Sequence, residues 1–134
     1  MKSVLFVCVH NSGRSQMAEA FFNHLTKGNM RAFSAGTKPS DMVDPTIIKV
    51  MLEVGIDISK KRPKALTLEM IEQADLIITM GCGADVGCPA RYVKTEDWQL
   101  DDPTGKSIDQ VRAIRDSIRA KVLRVIEDLS SKED

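Results

Sequence analysis

The chain has 134 residues, and its 19 lysines and arginines balance 19 aspartates and glutamates. That length suits one domain spanning 1-134 with a core of its own, and zero formal charge leaves no basic excess for nucleic acid or a membrane surface. Three cysteines are too few for a disulfide scaffold, and no spanning or secretory run is visible, so a cytoplasmic protein without static disulfides is expected.

In chain order, Lys2 to Val7 reads as a strand buried on both faces, because its apolar run does not alternate. A helix follows with Met17, Phe21 and Leu25 on one stripe and Gly28 as its stop. Arg31 to Ala35 is a second strand. Asp44-Pro45 supplies an N-cap and a first-position proline for a helix that ends at Gly55. Ile56 to Pro63 reads as a solvated polar connection, and Thr67 caps a short helix running to Ala74. Leu76 to Met80 is a third strand, and Gly81 to Pro89 is a glycine-rich loop holding two cysteines. A weak fourth strand is placed near Arg91 to Lys94. Ser107 and Gln110 form a capping box for a long final helix, with Ser130 to Asp134 as its fraying tail. Alternating strands and helices predict an α/β fold, with a four-stranded parallel sheet and helices on both faces. Ligands of such sheets sit beyond the carboxyl ends of the strands, where the loops at Cys8, Cys82 and Asp102 all begin.

The first of these loops, Cys8-Val9-His10-Asn11-Ser12-Gly13-Arg14-Ser15, joins a strand to a helix. Backbone amides at such a turn converge on one spot, and the helix dipole favours an anion there. Arg14 adds a planar fork suited to a tetrahedral oxyanion, and the same field stabilises Cys8 as a nucleophilic thiolate. Ser15 can donate a hydrogen bond to that thiolate and make it a better leaving group. Asn11 tolerates a left-handed backbone, and Gly13 lets the backbone approach a ligand closely. His10 is read as a nearby donor without a catalytic task. Oxygen leaves more easily when protonated, so a carboxylic acid at the mouth is needed. Asp102, followed by Pro103, is the candidate, with Asp101 as the alternative and simple turn initiation as the structural reading.

Cys82 and Cys88 flank Gly83-Ala84-Asp85-Val86-Gly87. Structural zinc is one reading, but a closed site normally needs four ligands. Inert cysteines are another. A thiol relay, in which one cysteine resolves an adduct on Cys8 and the next resolves the resulting disulfide, is the third and the preferred one.

Cys8, Arg14 and Ser15 after a first strand, with a later Asp102-Pro103, resemble the low-molecular-weight protein tyrosine phosphatase fold. The segments Gly81 to Pro89, Glu96 to Trp98 and Asp101 to Lys106 are similar to the thioredoxin-coupled arsenate reductases built on it. The resemblance implies that Cys8 attacks arsenate while Asp102 protonates the departing oxygen. It further implies that Cys82 displaces arsenite to leave a Cys8–Cys82 disulfide, and that Cys88 carries the oxidation to Cys82–Cys88. A thioredoxin-like protein would reduce that pair externally, with no bound cofactor or metal and the chain acting as a monomer. Some members of the group hold a monovalent cation near the positions of Asn11, Glu19 and Ser34. Lys64 falls where a further acid of that site would stand, so no cation is assigned. Rival readings are a tyrosine phosphatase, whose weak activity is expected in any case, and a non-catalytic arsenic-binding thiol sensor. Thr104-Gly105 stands where phosphatases of this fold present aromatic residues, and the chain's only tyrosine is Tyr92.

Overall fold

A computed structural model describes residues 2–82, 87–91 and 93–131. Four strands, β1 (Ser3–Cys8), β2 (Arg31–Gly36), β3 (Leu76–Thr79) and β4 (Glu96–Asp97), pair in the order β2-β1-β3-β4. All three ladders are parallel, as predicted. The helices are α1 (Arg14–Thr26), α2 (Pro45–Glu53), α3 (Leu68–Gln73) and α4 (Ile108–Ser131).

The side chains of β1 explain its unbroken apolar run. Val4, Phe6 and Cys8 enter one core with Met17, Phe21 and Phe22 of α1 and Ile114, Ile118 and Val122 of α4. Leu5 and Val7 enter a second, smaller core on the other face, with Ile77, Cys82 and Cys88, against which Met70 and Ile71 of α3 pack. A central parallel strand is apolar on both sides because both sides are covered. The odd and even residues of one six-residue strand thus lead to different cores, and Cys8 lies on the opposite side from the other two cysteines. Helix α1 is buried on nearly every side from Arg14 to Phe22, wedged between sheet and α4, so its burial is wider than the three-residue stripe suggests.

The local signals place the helix starts. Asp44 accepts from the Thr46 amide at 2.9 Å, Thr67 from the Met70 amide at 3.2 Å, and Ser107 and Gln110 exchange both bonds of the capping box. Helices α2 and α4 are clamped by Glu53, which meets Arg112 and Arg115. Strand β2 is an edge strand, and Asn23 of α1 covers it, donating to the Ala32 carbonyl and accepting from the Ala32 amide. A side chain that occupies edge hydrogen-bonding groups blunts strand addition there.

Two expectations need correction. The fourth strand is Glu96–Asp97, not Arg91 to Lys94; a short 3₁₀ turn occupies Pro89–Arg91, and Tyr92 lies outside the described residues. The Trp98 amide donates to the Thr79 carbonyl, and the Trp98 ring, 5.7 Å from the Phe6 centroid, pins this segment to the sheet. Tertiary anchoring, not strand propensity, sets its position. The Ile56–Pro63 connection is not simply solvated either. Ile58 is buried in the main core, and the Arg62 carbonyl accepts from Gln16. Residues 132–134 and 83–86, part of the predicted tail and cysteine loop, lie outside the described residues.

Candidate active site

The loop between β1 and α1 is held by its own carbonyls. Those of Cys8, Val9 and His10 accept from the amides of Thr37, Lys38 and Ser40; that of Ser12 accepts from Asp44 and that of Gly13 from Met17. The Asn11 carbonyl accepts from the Gln16 side chain at 3.2 Å. With all six carbonyls engaged on the outside, the amides are the groups left to face inward. Helix α1 begins at Gly13 with no side-chain cap, so its first-turn amides are also available to an anion.

Asn11 fixes the polarity around Cys8. Its backbone is left-handed at φ 51°, as predicted, and its Oδ1 accepts from the Lys64 amide, which can only donate, and from Gln16. The Asn11 Nδ2 must therefore donate, and does so to Ser15 Oγ at 2.7 Å and Ser34 Oγ at 3.0 Å. Ser15 then has its hydrogen free for Cys8 Sγ, 2.8 Å away, and the Asn11 amide reaches the same sulfur at 3.3 Å. Two donors are thus directed at one sulfur. The hydroxyl of Ser34 donates onward to Glu19, whose buried carboxylate lies 3.5 Å from Lys61 Nζ and 3.8 Å from Lys64 Nζ. The cationic connection between α2 and α3 thus neutralises the one acidic group of this network, as a buried charge requires.

A small pocket over the loop is lined by Cys8, His10, Ser12, Gly13 and Arg14 together with Asp44, Asp102, Pro103 and Thr104. His10 is restrained, its Nδ1 donating to the Lys38 carbonyl. Pro103 packs on Gly13, where an added Cβ would stand 3.2 Å from its Cγ. Burial pushes the Asp102 carboxyl up, but the Thr104 backbone amide and hydroxyl, with the charges of Arg14 and His10, outweigh it and hold the group below its ordinary value. Asp102, rather than Asp101, lines the pocket. A larger cleft of about 560 Å³ beside β2 contains none of the predicted nucleophiles; it is the Lys61–Lys64 side of the Glu19 network.

Cys82 and Cys88 form a disulfide, with their Cα atoms 5.5 Å apart, buried in the second core, while Cys8 is a free thiol. They do not line the oxyanion pocket. The sequence did not single out Asp44 as a pocket wall or Leu100 as a support, and it named Ser34 and Lys64 only in connection with a cation site, not as supports of the loop. Asp44-Pro45 carried a signal, read only as a helix cap. The others act through a hydroxyl or a backbone group at long sequence separation, which no local pattern marks.

The family model of the low molecular weight phosphotyrosine protein phosphatases matches residues 3–134. The glutaredoxin arsenate reductase of Synechocystis sp. is 40% identical over 133 residues, covering 97% of this chain and 100% of the relative. The solved thioredoxin-dependent arsenate reductase Cg_ArsC1' of Corynebacterium glutamicum superposes with a TM-score of 0.84 at 34% identity, over 99% of this chain; the chain spans 64% of that protein. The YwlE arginine phosphatase of Geobacillus stearothermophilus superposes with a TM-score of 0.86 at 26% identity, over 99% of this chain and 96% of that one. Hydrolytic and reductive relatives therefore share one backbone.

Proposed function

The chain belongs to the low molecular weight phosphotyrosine protein phosphatase family, and from that premise we propose that it is an arsenate reductase working by a three-cysteine relay. The observation that carries this reading is the Cys82–Cys88 disulfide, packed just past the end of β3 on the other face of the sheet from the free Cys8, in a chain that also holds an anion-suited pocket around that cysteine. A phosphatase has no use for two further thiols; a reductase needs them.

Arsenate enters the loop 8–15, held by the amides and Arg14. The Cys8 thiolate attacks arsenic(V), an S–As bond forms, and an arsenate hydroxyl leaves as water with a proton from Asp102. Before an anion enters, Asp102 is held below its ordinary value, so it is ionised at neutral pH. The incoming anion offsets the positive charge of Arg14 and moves the carboxyl back toward its protonated form. Cys82 then attacks Cys8 Sγ. The S–S bond forms as the S–As bond breaks, and its electron pair stays on arsenic, which leaves as arsenite. Cys88 attacks Cys82, releasing the Cys8 thiolate and forming the Cys82–Cys88 disulfide present in the structure. An external dithiol protein of the thioredoxin class reduces that pair. The names of the relatives supply both thioredoxin and glutaredoxin as donors, so both are to be compared.

Phosphorus(V) does not take electrons from a thiol, so a phosphocysteine formed in the same pocket can only be hydrolysed. Weak phosphatase activity follows from the shared pocket, nucleophile and acid. The test is to follow arsenite formation with a thioredoxin or glutaredoxin system beside hydrolysis of a phosphotyrosine analogue. Arsenite turnover that disappears in Cys82→Ser, with slow hydrolysis retained, is the expected result. Hydrolysis without arsenite formation would make the chain a phosphatase.

A further inference from the structure

The Arg14 guanidinium lies against the backbone of residue 81, which has no side chain. The geometry points to Gly81 as a positioning residue of the oxyanion pocket, whose missing Cβ sets where the Arg14 guanidinium lies. Gly81 follows β3 with φ +86°, and a Cβ built there would stand 2.8 Å from Arg14 Nη1, 3.5 Å from its Cζ and 3.6 Å from its Nη2. The guanidinium supplies all three nearest atoms, so the fork is the neighbour that must yield. The same Arg14 Nη1 donates to the Leu100 carbonyl at 3.2 Å, and the arginine as a whole is 9% exposed. The fork therefore meets both the end of β3 and the segment just before Asp101 and Asp102.

The consequence differs from that of an ordinary buried glycine. The atoms a Cβ would meet belong to the far end of a flexible side chain, so the fold can absorb the change by swinging Arg14 aside. The anion site cannot, because a bidentate fork must keep its angle to the oxyanion. Gly36 provides the contrast: a Cβ there would meet the backbone oxygen of Val9 at 2.6 Å, and the loop itself would have to move. Gly81 also directly precedes Cys82. The residue that seats the anion-binding fork is thus bonded to the cysteine assigned to release the product, and any movement of Cys82 toward Cys8 shifts the wall on which Arg14 rests.

The identity of the reaction comes from the proposed function, but the positioning role can be read without it, using inorganic phosphate as the oxyanion. Gly81→Ala adds the Cβ and also strains a positive φ; Gly81→Asn adds the Cβ in a residue that tolerates that backbone. Both variants should weaken phosphate binding, measured calorimetrically on the full chain, by about tenfold or more, the scale of a lost charge-assisted hydrogen bond. The arsenate KM should rise by a similar factor while kcat at saturation changes much less. In an Arg14→Lys background, Gly81→Asn should add little further loss, since the fork it displaces is gone. A phosphate affinity unchanged in Gly81→Asn would overturn the assignment, as would losses that add in full on Arg14→Lys. If the unaltered chain binds phosphate but forms no arsenite, the proposed reaction fails and the positioning role stands.

Discussion

The two loops that carry the chemistry are built on opposite mechanical principles. The loop from Cys8 to Ser15 has all six carbonyls from Cys8 to Gly13 tied to surrounding backbone or to Gln16, and a side-chain chain from Ser15 through Asn11 and Ser34 to Glu19 behind it. Cys82 and Cys88 are joined by one covalent crosslink and sit in the smaller core on the other face of the sheet. An oxyanion pocket gains from being preorganised, because its donors then cost nothing to align when charge develops. The proposed relay makes a different demand, because in it Cys82 reaches Cys8 in one step and Cys88 in the next. In the proposed mechanism one loop holds a geometry, and the cysteine pair changes partners.

The comparison breaks most completely at the nucleophile. Cys8→Ser is expected to reduce both arsenite formation and phosphotyrosine-analogue hydrolysis to background, since both chemistries begin at that sulfur; retained arsenite formation would place the attack elsewhere. Next comes the acid. Asp102→Asn should lower kcat about 10²- to 10⁴-fold in either assay with little effect on phosphate affinity. An equal loss in Asp101→Asn would reassign the acid. Gly36→Ala attacks the rigid loop from behind, through Val9 O, and should cost about 1–3 kcal/mol in chemical denaturation as well as phosphate affinity. The smallest effect lies far from both loops. Glu53 is held at about 2, chiefly by its hydrogen bond from Arg112. Its folded value is depressed below the ordinary 4.5, so its contribution is present above pH about 4.5 and is lost as pH falls through about 2. The stability of Glu53→Gln should therefore show a shallower acid dependence across that window, with catalysis unaffected.

The loop from Cys8 to Ser15 was far more legible in the sequence than the elements that support it. Strand, turn, arginine and serine are contiguous between Val4 and Ser15, and their placement follows from local rules, as do the caps at Asp44, Thr67 and Ser107. Strand β4 was misplaced because its two residues are both exposed and carry no alternation; Trp98 and a Thr79–Asp97 hydrogen bond fix it from outside. The connection before Pro63 looked solvated because its contributions are a backbone carbonyl at Arg62, a lysine at 61 and a single buried Ile58. Gly81 read only as the start of a glycine-rich loop. Its role is to leave a space, and a space for a distant side chain has no sequence pattern.

The most direct test of the division of labour is a single-turnover experiment on fully reduced Cys88→Ser without an external donor. The relay predicts about one arsenite per chain, no further turnover when the thioredoxin system is added, and a Cys8–Cys82 disulfide found by peptide mapping. Undiminished multiple turnover in that variant, with Cys82 left as a free thiol, would contradict it.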